Sequence, residues 1–141
     1  AYIHSAGKTQ DVSKVWDNLG EQDAFLESMA ASAQAVADYF GDRILYINVM
    51  NNLSIDCDCD AHPHDPEMKD IGILASLDPV ALDQACLDLV HAVQPSEGNN
   101  SKPLIERIKS RNGQHTVDHA ERIGLGTRKY ELKELEPQQT V

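Results

Sequence analysis

Aromatic residues are scarce in this chain, 5% of 141 residues with a single Trp, and basic residues are outnumbered: 12 Lys and Arg face 23 Asp and Glu. The resulting net charge of −11 excludes the clustered Lys and Arg that grip a nucleic-acid phosphate backbone, and it disfavours an anionic membrane surface. No apolar run approaches the ~20 residues of a membrane span, and no signal-peptide pattern opens the chain. Cysteines number three, an odd count with two of them nearly adjacent, so a secreted disulfide scaffold is disfavoured and a reducing cytoplasm fits better. There is no phosphate-binding Gly loop, no G-x-S-x-G elbow and no defensible Ser/His/Asp arrangement.

What remains is a hydrophobic fraction of 41%, enough for a globular core, at a length that suits a single domain over 1–141 with a frayed polar tail at 136–141. The first residue is Ala rather than Met, and the reading here is of a cut edge, with an upstream half elsewhere. A short strand is expected at 2–4. Phe25, Met29, Ala33, Val36 and Phe40 fall at helical spacing and predict a helix over 22–40, stopped by Gly41. Ile44 to Met50 and Ile71 to Ala75 are short β-rich apolar runs, expected as strands buried on both faces. Asp78 and Pro79 predict a helix start, with Leu82, Cys86, Leu89 and Val93 as its core stripe. Pro103 opens a third helix ended by Asn112-Gly113. Thr116 is expected to cap a fourth ending at Gly124, and Tyr130 and Leu132 a last half-exposed strand. The expected fold is α/β: a small mixed sheet of three to four strands with about four helices packed on it.

The chemistry concentrates at Asp56-Cys57-Asp58-Cys59-Asp60, followed by His62, His64, Asp65 and Glu67. Thiols and carboxylates packed so densely repel one another once ionised, so a cation, a proton, water or a disulfide must relieve them. A purely structural reading makes the cysteines small core residues and the aspartates a solvated face. A soft-metal reading gives Cys57, Cys59, His62 and His64 four ligands for zinc or iron, although Cys-x-Cys is tighter than usual zinc spacing. A complete iron–sulfur cluster normally takes four cysteines, so other segments would have to contribute. A calcium reading places Asp56, Asp58, Asp60 and Glu67 at EF-hand positions 1, 3, 5 and 12, with Ala61 where the turn wants Gly. A redox disulfide is disfavoured, because the flanking aspartates raise the thiol pKa values. His115 and His119 stand at i, i+4, which can hold a metal, but no third ligand is evident from sequence, and a lone pair at this spacing is more often a surface feature.

The stretch Ile44 to Asp60 resembles the domain-of-unknown-function family 362, bacterial and archaeal proteins often labelled iron–sulfur-centre proteins. The likeness continues through Pro66 to Val90 and resumes at Leu104 to Ile108 and Gly124-Leu125-Gly126. It implies a C-terminal portion of a longer protein whose ferredoxin-type cysteine run is absent here, so only the Cys57/Cys59 motif carries over. The expectation is a cytoplasmic metal-binding domain of a redox-associated protein of undefined reaction. Cys57 and Cys59 are its preferred ligands, Asp56, Asp58 and Asp60 its supporting or hard-metal ligands, and His62 and His64 optional. The alternatives are a structural domain that packs against its upstream half or a second copy, and an enzyme that uses a Ca²⁺ or Mg²⁺ site on the Asp-rich loop.

Overall fold

A computed structural model describes residues 2–56 and 61–135. Helix α1 (Gln22–Phe40) leads into strand β1 (Tyr46–Met50). Strand β2 (Gly72–Ser76) and helices α2 (Pro79–Ala92), α3 (Lys102–Ser110) and α4 (Gln114–Arg122) follow. The α/β class holds. Among the described residues the sheet has two strands rather than three to four, paired antiparallel from Tyr46↔Ser76 to Met50↔Gly72. None of these helices is long and apolar enough to cross a membrane.

Three expected features differ. Residues 2–7 are a turn, not a strand: Gly7 N–H donates to Tyr2 O, Ala6 and Gly7 take positive φ, and buried Ser5 bonds Tyr2 O and Thr9 O through its hydroxyl. Helix α4 begins at Gln114 rather than behind a Thr116 cap. The preceding helix ends in a left-handed Asn112 (φ 50°), and Gly113 N–H returns to Ile108 O, so the chain turns directly into α4. Tyr130 and Leu132 lie in irregular backbone, with the Tyr130 hydroxyl donating to Asp88.

The bounds of α1 match the sequence pattern, but its buried face does not. Leu26 and Ala30 are buried, whereas Met29, Val36 and Phe40 are exposed. Small residues explain this. Ala30 packs with Val80, Val117 and Ala120, and the two alanines let α1 and α4 approach closely. Polar ties fix the register of α1 against the α3–α4 corner and the end of α4. Asn112 Nδ2 donates to Asp23 (2.7 Å), Gln22 Nε2 to Arg111 O (2.8 Å) and Gln34 Nε2 to Ile123 O (2.8 Å).

Helix α2 starts as expected. The Asp78 carboxylate accepts from Val80 N (2.9 Å) and Ala81 N (3.0 Å), satisfying two otherwise unpaired N–H groups. Its second oxygen accepts from Thr127 N (2.9 Å), which ties the C-terminal segment to the helix. One face of the sheet rests on α2 through Met50, Leu74 and Leu89. The other face is open, so the strands are not buried on both sides: Ile47 is 56% exposed, Val49 61% and Ile73 71%.

Candidate metal centre

Glu27 projects from α1 beside Leu26, on the flank of the helix that α4 covers. His115 and His119 are one turn apart on α4, so their rings share one face, and Arg122 continues that face. Glu27 Oε1 lies 3.0 Å from His115 Nε2, 3.2 Å from His119 Nδ1 and 3.6 Å from Arg122 Nη2. The two imidazole nitrogens and the carboxylate oxygen all fall within 4.8 Å of one another. Sequence spacing flagged the two histidines. It missed Glu27, 88 residues from His115, because only the α1–α4 packing brings them together.

The electrostatics are those of a shared acceptor. His115 hydrogen-bonds Glu27 and holds its carboxyl below the usual carboxylate range, with His119 and Arg122 adding to the pull against some desolvation. The His119 side chain is 17% exposed, and its Nδ1 is buried. That nitrogen is near Oε1 in distance, yet it makes no hydrogen bond. A buried imidazole nitrogen with no hydrogen bond is the one orphaned side-chain atom among the described residues.

These residue types suit a cation. Metal bonds of ~2.0–2.2 Å from N and O place neighbouring ligand atoms roughly 3 Å apart around one ion. The two Glu27–His distances meet that spacing, and all three ligand atoms lie within 4.8 Å of one another. Two imidazoles and one carboxylate leave coordination positions open, the pattern of catalytic zinc and of non-haem iron(II) sites. Arg122 competes for the carboxylate from a side chain that is 58% exposed.

Cys57, Asp58, Cys59 and Asp60 lie outside the described residues. Asp56 is 11% exposed in its side chain and forms a clasp: its Oδ2 accepts from His64 N (2.8 Å) and lies 2.6 Å from His64 Nδ1. Arg107 stands 3.6 Å from its other oxygen, and the Ser54 hydroxyl donates to His64 O (3.0 Å). The His64 backbone hydrogen bond is the largest influence holding the Asp56 carboxyl low, followed by the His64 ring. The clasp ties Asp56 to His64, eight residues on in the chain. His62, Asp65 and Glu67 are exposed.

The other candidates have structural partners. Cys86 is half-buried, and burial pushes its thiol up, with Asp83 adding to this against an Asn48 hydrogen bond. That makes it a poor nucleophile. His4 stacks on Phe25, and His91 Nδ1 lies 2.8 Å from Leu87 O. Asp83 lines an open cavity of about 350 Å³ with Met50, Leu53, Val90 and Val117. Its residue surface reaches solvent, yet the surrounding protein still pushes its carboxyl up.

Among the described residues the fold is mixed α/β, a two-stranded antiparallel sheet with four α-helices. The chain belongs to the family described as Domain of unknown function (DUF362), whose model matches residues 1–88. The match takes in the first twenty residues as well as α1, the sheet and the Cys57/Cys59 segment, and it stops within α2. Glu27 therefore lies inside it, while His115 and His119 lie beyond. No curated protein and no solved structure matches the chain.

Proposed function

We propose that this domain binds a divalent metal ion through Glu27, His115 and His119, as part of a redox-associated protein. The observation that carries the reading is the convergence of an i, i+4 histidine pair on one carboxylate oxygen, at 3.0 and 3.2 Å, with a buried imidazole nitrogen that has no hydrogen bond. The donor set favours zinc or iron(II) over calcium, which prefers six or more oxygens. Cys57 and Cys59 are a second, softer ligand source, next in sequence to the Asp56 clasp. An iron–sulfur cluster there still needs thiolates from another segment. A hard-cation site on the Asp-rich loop would have to draw Asp56 away from His64 and Arg107.

The test is the metal content of untagged protein purified under reducing, anaerobic conditions. One equivalent should be present, absent from His115→Ala/His119→Ala, and retained by Cys57→Ser/Cys59→Ser. No metal in any of the three proteins, or a content that follows the cysteines alone, would sink the assignment.

A second reading, a structural domain that packs against a neighbour, is favoured by one specific feature. Apolar side chains stay exposed on the outer sheet face and along Met29, Val36 and Phe40 of α1. The two readings are compatible, since metal and neighbour would occupy different surfaces.

A further inference from the structure

The open cavity beside α2 is built by three helices and the end of β1. Asp83, Cys86, Leu87 and Val90 of α2 line it at i, i+3, i+4 and i+7, one face of the helix, and α3 and α4 add Ile108 and Val117. Its volume of about 350 Å³ falls within the ~300–1,000 Å³ of small-molecule sites, and its lining is chiefly apolar. From Asp83 to Val90 the α2 wall runs roughly 10 Å along the helix axis.

One carboxylate interrupts the apolar lining. Asn48 of β1 donates through Nδ2 to Asp83 Oδ1 (2.9 Å), and the same nitrogen lies 3.4 Å from Cys86 Sγ. The amide thus fixes one oxygen of the carboxylate. Among the described residues no Lys, Arg or His pairs with Asp83, and Asn48 is its one hydrogen-bond donor. The surrounding protein strips water from the group and pushes its carboxyl up against that hydrogen bond. A partly desolvated acid without a counter-cation is unfavourable by itself, and a cation from solution relieves it. The residue surface still reaches solvent, which leaves a route of entry. A metal ion matches poorly, because one carboxylate among apolar walls offers too few oxygen ligands. An organic ammonium ion with an apolar body matches both the charge and the walls.

From this geometry we infer that the α2 cavity binds a small organic ammonium ion, its apolar body along Leu87, Val90 and Val117 and its N–H groups on Asp83 Oδ2. The ligand class is a primary amine on an aryl or alkyl chain. The site shares no residue with Glu27, His115 and His119 and does not rest on metal binding there.

The probe is phenylbutylamine, titrated into the isotope-labelled full chain while backbone amide shifts are followed by NMR. Saturable shifts are expected at Leu87, Val90 and Val117. Phenylbutanol keeps the body and loses the charge; butylamine keeps the charge and loses most of the body. Each should bind at least about tenfold more weakly than phenylbutylamine. Asp83→Asn, which keeps the side-chain shape, should cost the amine a similar factor and leave the alcohol unchanged. Asp42→Asn makes the same charge change at an exposed acid that does not line the cavity, and it should leave both unchanged. No saturation by the amine up to about 10 mM overturns the proposal. So does equal binding of amine and alcohol, or of long and short amine. An amine affinity that survives Asp83→Asn, or that Asp42→Asn reduces equally, overturns it too, because attraction to the acidic surface would then account for the binding.

Discussion

Replacing Glu27 with Gln keeps the shape of the side chain and removes the negative charge that two imidazoles and a guanidinium approach. Without metal the change should be small, since partly exposed ion pairs contribute about 0–1 kcal/mol. With metal it should be large. At free Zn²⁺ about 100 times Kd, binding to the native state alone adds ~2.7 kcal/mol. In a domain of this size ~1 kcal/mol moves Tm by roughly 3–5 °C, so zinc should raise the wild-type Tm by about 8–13 °C. Loss of a supporting hydrogen bond to a ligand typically costs 10–100-fold in affinity, and losing the anionic ligand itself should cost at least about 100-fold. The same zinc concentration then roughly equals Kd, leaving ~0.4 kcal/mol and a shift of about 1–2 °C. Differential scanning fluorimetry at fixed free zinc reads the difference. Equal shifts in wild type and Glu27→Gln would refute the reasoning, as would no shift in either.

Gly126→Ala should destabilise the fold by about 1–3 kcal/mol in urea denaturation, because an added Cβ would collide with the Asp78 carboxylate, which is held in place by Val80, Ala81 and Thr127 N–H groups. Asp83→Asn should stabilise the protein at neutral pH. Burial raises the Asp83 carboxyl above its unfolded value, so the charged form penalises the fold as pH rises through the ordinary carboxylate range, and the advantage of Asn should vanish in acid; a gain that persists unchanged below that range would contradict the assignment.

Local signals in the sequence located most elements. The bounds of α1 follow from its apolar spacing and from Gly41, and α2 follows from Asp78 and Pro79, whose capping geometry is fixed by adjacent residues. The face that α1 buries was not legible. Ala30 and Ala120 exert their influence only where two helices meet, and periodicity gave weight to the larger Met29, Val36 and Phe40. The strands were legible as β-rich runs, but a continuous apolar run does not reveal that one sheet face lacks a covering layer. For the candidate centre, the His115/His119 spacing was visible and Glu27 was not, since nothing near Glu27 in sequence distinguishes it from other acids of α1. Asp56 was visible as part of a ligand-rich run. Its clasp depends on tertiary contacts with His64 and with Arg107 of α3, which the residue pattern does not encode.

Cobalt(II) titration of the reduced protein tests the metal assignment most directly, because its electronic spectrum distinguishes nitrogen and oxygen ligands from thiolate. The account predicts one equivalent giving ligand-field bands without an intense thiolate charge-transfer band, abolished in His115→Ala/His119→Ala and intact in Cys57→Ser/Cys59→Ser. A thiolate charge-transfer band at the first equivalent that survives loss of both histidines and vanishes with the two cysteines would contradict it.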